Sequence, residues 1–249
     1  MTRSLNTLVT GREYIRALDA RKSDRDCRTA FLERACSLLP PRSTVFDFGC
    51  GPGLDARAYA SRGHRVYGFD VDAQMCAHFR EFCAGEIASG SVRLVGEGQR
   101  DLLDLPADVL PPVDLVTADF APLNLVENLP QLFARFEQLL APRGQVLAGI
   151  LNPLHSGDLR YGWWWRGLPR LVTRGQYSVS GAQAPITRWQ TRRLARIAGE
   201  AFVLREVSVP SPRGLASWRR VNPSAPRDWP AIAASRYLFV LFARRTESA

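Results

Sequence analysis

Residues 45–53 read VFDFGCGPG. An apolar run of strand character meets glycines at 49, 51 and 53, and a helical pattern, GLDARAYASRG, takes over at once. Glycines at such spacing permit a reversal that side chains with a Cβ would resist. A strand that passes straight into a helix opens a βα unit, and βα units build parallel sheets by crossover. The rest of the first 152 residues keeps that rhythm. STVFDFG (43–49), HRVYGFD (64–70), VRLVGEG (92–98), VDLVTADF (113–120) and GQVLAGILN (144–152) read as strands. Residues 53–63, 73–90 and 128–140 read as the helices between them. The expected fold is α/β: a Rossmann-like, doubly wound, mostly parallel sheet with helices on both faces.

REYIRALDARKSDRD (12–26) and CRTAFLERACSLL (27–39) place apolar residues at three- and four-residue steps, and Pro40-Pro41 stops the second helix. After Asn152 the alternation breaks. Residues 153–184 are rich in Gly, Trp and Arg without a clean period, residues 186–199 return to a helical one, and 202–210 and 236–245 read as two closing strands. The 249 residues suit a single domain, 1–249. It comprises N-terminal helices over 1–42, a ligand-binding core over 43–152, and two irregular inserts, 153–184 and 210–235, expected to cap the site.

The ligand is constrained by charge. Asp70 ends the second strand, 17 residues past Gly53. In a doubly wound sheet an acid there reaches the ribose hydroxyls of a bound nucleoside. The glycine spacing is GxGxG, one residue short of the dinucleotide fingerprint, and Asp47 stands two residues before the turn. A pyrophosphate would be repelled by that carboxylate, whereas an ammonium and a sulfonium would be attracted. S-adenosylmethionine carries both. An NAD(P)-dependent oxidoreductase is the weaker reading.

DFGCGPG (47–53) resembles the first motif of the class I S-adenosylmethionine-dependent methyltransferases, usually D/E-x-G-x-G-x-G. VYGFDVDAQM (66–75) is similar to the second motif, GQRDLLDLP (98–106) to the third, and residues 113–152 to the fourth strand through the fifth. The likeness covers residues 40–152 and leans towards small-molecule, quinone-biosynthesis-like enzymes. It implies that Gly49, Gly51 and Gly53 line the methionine portion and that Asp47 supports the turn and the amine. It places Asp70 on the ribose diol, Val71 and Met75 beside the adenine, and Asp101, with Leu102, at the exocyclic amine. Gln99 and Arg100 intervene after Gly98, so Asp104 rivals Asp101. Asp119 would face the methyl-transfer site, and Tyr14 would close over the cofactor. Asp72 is the better helix cap next to Asp70.

Two residues are candidates for chemistry on the acceptor. His155 follows the fifth strand, on the sheet edge that carries the glycine turn. Asn124 stands in APLN after the fourth strand. His64, at the opposite end of its strand, is expected on the surface, and His78 on a helix face. No metal-ligand spacing occurs, and the five cysteines form no CxxC pair, as suits reduced thiols in a cytoplasm. No run is long and apolar enough to span a bilayer, and no leader pattern precedes the first charges.

Net charge is +9, carried unevenly. Residues 153–249 hold 16 Arg, 5 acids and all six Trp. Trp163 to Trp165 offer apolar walls, and Arg160, Arg166 and Arg170 offer partners for an acid. The expected acceptor is therefore a small or carrier-tethered molecule, apolar or aromatic, with an acidic group. A nucleic-acid acceptor, or a non-catalytic protein that holds RNA or a membrane through this part, stays open on charge alone.

Overall fold

The computed structural model describes residues 11–99, 101–106, 108–181, 184–211 and 217–245, without the side chains of residues 12, 14 and 19. The central sheet has eight strands in the order β3-β2-β1-β4-β5-β10-β8-β9. These are β1 (Thr44–Phe48), β2 (Arg65–Phe69), β3 (Val92–Leu94), β4 (Val113–Ala118), β5 (Leu140–Leu151), β8 (Phe202–Pro210), β9 (Trp218–Arg220) and β10 (Tyr237–Arg244). The first five pair parallel, while β10 runs antiparallel between β5 and β8. The chain winds outward from β1 to β3, then returns to β4 on the other side. The switch point thus falls between β1 and β4, at the carboxyl end of the strand that leads into the glycine turn.

Both faces of the sheet are buried, and successive residues go to opposite cores. In β10, Leu238, Val240 and Phe242 join the core under α6 (Leu129–Leu139), built on Phe133 and Phe136. Phe239 and Leu241 join the other, with Phe31 of α2 (Lys22–Cys36) and Tyr59 of α3 (Leu54–Ala60). Two-sided burial explains why these strands read as continuous apolar runs rather than alternating ones.

Several boundaries differ from the sequence reading. The first helical break lies at Arg21, between α1 (Gly11–Ala20) and α2, because the helix restarts before the run at Cys27. The helix expected over 73–90 divides at Cys83 into α4 (Ala73–Phe82) and α5 (Ala84–Ala88). Residues 153–184 are not irregular: they contain α7 (Gly162–Arg174), which holds Pro169 within it, and β6 (Gln176–Val179). Ile186–Trp189 is strand β7, paired with β6 in a separate hairpin, and only Thr191–Ile197 is helix, α8. Segment 210–235 holds regular elements among its described residues. It supplies β9 at the far sheet edge and the short helix α9 (Trp229–Ala234). A buried ion pair from Arg34 on α2 to Glu206 on β8, 2.7 Å, closes that edge, with Arg220 of β9 on the same carboxylate at 2.6 Å.

Candidate active site

The glycine turn is fixed by the neighbouring strand. Gly49 and Cys50 both donate their N–H groups to the Phe69 carbonyl at the end of β2, 2.8 and 3.1 Å. Gly53 (φ 90°) starts α3, and a Cβ there would lie 2.7 Å from Cys83 Sγ and 2.9 Å from Phe79 Cδ2. Gly51 (φ 51°) differs: no atom lies within 4 Å of where its Cβ would be. One glycine is required by packing, the other keeps a surface open for a ligand.

Asp70 ties the two strand ends together. One carboxylate oxygen accepts from Gly51 N–H (2.8 Å), the other from Asp72 N–H (2.9 Å). Burial raises its pKa, against those backbone donors. Asp72 caps α4, accepting from Gln74 N–H and Met75 N–H. Beside Asp70 opens a cavity of about 550 Å³, of a size suited to a small molecule. Gly49, Gly51, Val71 and Met75 line it on one side, and Asp101 and Leu102 on another. Asp101 accepts from Leu103 N–H (3.0 Å) and so starts a short 3₁₀ turn, Leu102–Asp104. Asp104, at the end of that turn, does not line the cavity.

A second, much smaller space of about 30 Å³ adjoins the turn, and Asp119 borders both. Asp47, Asp55 and Asp119 surround it with Arg28 of α2, which pairs with Asp55 at 2.7 Å. Asp47 accepts from Thr117 Oγ1 (2.9 Å) and Asp119 from Phe120 N–H (2.8 Å), but the Oδ2 atom of each is buried without a partner. Three carboxylates thus share one guanidinium. Burial first, and the Asp55 charge second, raise the Asp47 carboxyl to about 8 and Asp119 well above its ordinary range. The turn after β4 is strained as well: Phe120 (φ 53°) and Ala121 (φ 71°) are consecutive left-handed residues, and such strain collects where a site is being shaped.

These shifts make stability depend on pH. A carboxyl raised on folding binds its proton more tightly in the native state, so the native state holds more protons between the two pKa values. Its contribution is complete below about pH 4 and fades as pH rises through about 8. The unfolding midpoint of the protein alone is expected to fall across that window, and Asp47→Asn should flatten the fall in a thermal melt series. Equal slopes in the two proteins would remove Asp47 as the titrating group.

The two residues expected to act on the acceptor sit elsewhere. Asn124 is fully buried, donating to the Thr187 carbonyl of β7 (2.5 Å) and accepting from Leu151 N–H (3.0 Å). Its side chain is spent on backbone, joining the post-β4 turn to β5 and the β6–β7 hairpin. Asn124→Ala should cost about 2 to 4 kcal/mol in urea unfolding, from two orphaned backbone groups. A shift below ~0.5 kcal/mol would contradict that role. His155 Nδ1 lies 3.2 Å from the Ala233 carbonyl, and the ring does not line the cavity. His64 is buried rather than on the surface, and burial lowers its pKa. Tyr14 falls in α1, but its side chain lies outside the described residues. Trp163, Trp164, Trp165, Arg160, Arg166 and Arg170 do not line the cavity. Among the described residues, the charged side chains that do are all acids: Asp70, Asp101, Asp119 and Glu127. Arg28 and Asp55 escaped the sequence reading, since nothing in DCRTAFLERAC distinguishes one helical arginine from its neighbours.

This sheet order is that of a Rossmann-like methyltransferase fold. Residues 45–144 match the family described as "Methyltransferase domain". Among solved structures, the chain is similar to a TehB-like SAM-dependent methyltransferase from Corynebacterium glutamicum, with 15% identity, a TM-score of 0.57, and coverage of 94% of this chain and 98% of that one. It is similar to the CcbJ methyltransferase from Streptomyces caelestis, with 19% identity, a TM-score of 0.60, and coverage of 88% and 90%. An S-adenosylmethionine-dependent methyltransferase from Mesorhizobium loti gives 18%, 0.56, 85% and 95%. No curated protein sequence matches the chain significantly. Among the described residues, no helix is long and apolar enough to cross a membrane.

Proposed function

We propose that the protein binds S-adenosylmethionine at the β1–β4 switch point and transfers its methyl group to an apolar or aromatic small molecule. One observation carries the cofactor: two buried carboxylate oxygens, on Asp47 and Asp119, lack partners beside an open glycine turn whose surroundings hold three acids and one arginine. Buried unpaired carboxylate favours a cation, and no anionic pyrophosphate would settle there. When bound, the cofactor supplies an activated methyl on a sulfonium. Gly49 and Gly51 admit its amino-acid end, with Asp47, Asp119 and Arg28 as partners for that end. Asp70 holds the ribose; Val71, Met75, Leu102 and Asp101 hold the adenine.

The chain's part in the reaction is positioning and exclusion of water, the main sources of rate for an in-line displacement. Phe48, Phe120, Pro122, Leu125, Val126 and Leu132 give the cavity apolar walls. Among the described residues the charged side chains that line the cavity are acids, which favours a neutral or cationic group on the part of the acceptor that enters. The test is photolabelling with methyl-tritiated S-adenosylmethionine and peptide mapping. Label within residues 70–75, 101–103 or 119–132, competed by S-adenosylhomocysteine, is expected. Label elsewhere, or label that the product does not compete, would contradict the assignment.

A further inference from the structure

The search for further chemistry leads to the outer side of α7. Its inner side is fully committed: Trp164 and Leu171 are buried, Trp164 Nε1 donates to the Pro153 carbonyl (2.9 Å), and Gly167 lies against the Tyr177 ring. The outer side is not covered by this chain. Trp165 is 58% exposed and Val172 72%, and at i and i+7 they share one flank with Pro169. The Trp165 indole donates to the Leu159 carbonyl (2.8 Å), which pins the ring in its exposed position. Leu159 and Tyr161, just before the helix, are exposed too. On the neighbouring flank, Arg166, Arg170 and Arg174 repeat every four residues, and none forms an ion pair among the described residues. From Leu159 to Gly199 the sequence has eight arginines and no Asp or Glu.

We propose that this side of α7 seats the protein on an anionic lipid surface. An exposed apolar stripe with Trp and Tyr, beside an uncompensated arginine stripe on one helix, is the make-up of a helix that lies in a membrane interface. Charge complementarity selects lipid headgroups of negative charge, and the exposed indole and valine select a surface with an apolar layer beneath them, which a nucleic acid lacks.

The position fits the site. α7 hangs from Pro153, at the carboxyl end of β5, on the sheet edge that carries the glycine turn. Its hairpin is tied through Asn124 to the 3₁₀ turn Pro122–Leu125, and Pro122 and Leu125 line that cavity. Val71, Leu103 and Leu125 leave exposed apolar surface at the cavity's rim. On the cofactor reading above, a lipid-soluble acceptor would pass from the bilayer to this rim; the docking itself does not depend on that reading.

Sedimentation with phosphatidylcholine vesicles, with and without phosphatidylglycerol, tests the proposal. The protein should pellet with the anionic vesicles and stay in solution with the neutral ones. Trp165→Ser with Val172→Ser should weaken the partition roughly tenfold or more. Each of Arg166→Gln, Arg170→Gln and Arg174→Gln should weaken it about fivefold. These positions are on the surface, so melting points should hold, and calorimetry with S-adenosylhomocysteine on the same samples reads the cofactor site separately. Failure to pellet with anionic vesicles overturns the proposal, as does equal partition of the Trp165/Val172 variant. Retention on duplex DNA or an acidic protein that survives the Trp165/Val172 change would assign the arginines to such a partner instead.

Discussion

Asp70→Ala is expected to weaken S-adenosylhomocysteine binding by about ten- to a hundredfold, read by calorimetry. A hydrogen bond to a charged partner contributes roughly 1.5 to 3 kcal/mol, and each 1.4 kcal/mol is tenfold. The position has a second duty. Asp70 already holds the Gly51 and Asp72 N–H groups, so its loss also frees the middle of the glycine turn. The variant should therefore lose more affinity than a ribose contact alone predicts, together with a modest fall in melting point. Unchanged affinity would remove Asp70 from the cofactor site.

The glycines give the second large effect, and they divide. Gly53→Ala places a Cβ within 3 Å of Cys83 and Phe79 and holds alanine in the left-handed region. Left-handed strain costs about 1 to 2 kcal/mol and overpacking about 1 to 3 more, so this variant should lose roughly 2 to 5 kcal/mol of stability. Gly51→Ala meets no neighbour and should cost only the backbone strain, about 1 to 2 kcal/mol. Yet Gly51 borders both cavities, so its new methyl occupies the cofactor's approach. Gly51→Ala should lose tenfold or more in affinity while staying folded. Urea unfolding and calorimetry on both proteins separate the effects. The reverse pattern, with Gly51 structural and Gly53 functional, would contradict the division.

What could be read from the sequence was local. The turn at Gly49–Gly53, the acid at Asp70 and the strand–helix alternation each rest on a short segment whose residues act on their neighbours. Asp101 also lines the cavity, while its rival Asp104 does not, and this needed only the path of one 3₁₀ turn. What could not be read depends on distant pairing. Asn124 looked available for chemistry because the partners that consume it, Leu151 and Thr187, lie 27 and 63 residues away. Arg28 enters the site only because α2 folds across the turn. The period of 153–184 was hidden by Pro169 within α7 and by a tryptophan run in which Trp164 is buried while Trp165 is exposed. Composition drew the tryptophans and arginines of that segment towards the cavity, but Trp163, Trp164, Trp165, Arg160, Arg166 and Arg170 do not line it.

Thermal unfolding with added ligand tests the central claim, that the acid-ringed glycine turn is an S-adenosylmethionine site. A ligand at a hundred times its dissociation constant stabilises the native state by about 2.7 kcal/mol. In a protein of this size that raises the melting point by roughly 5 to 10 °C. S-adenosylhomocysteine should produce that rise, NAD at the same concentration should produce none, and Asp70→Ala should need far more ligand to match it. No shift with S-adenosylhomocysteine, or an equal shift with NAD, would contradict the account.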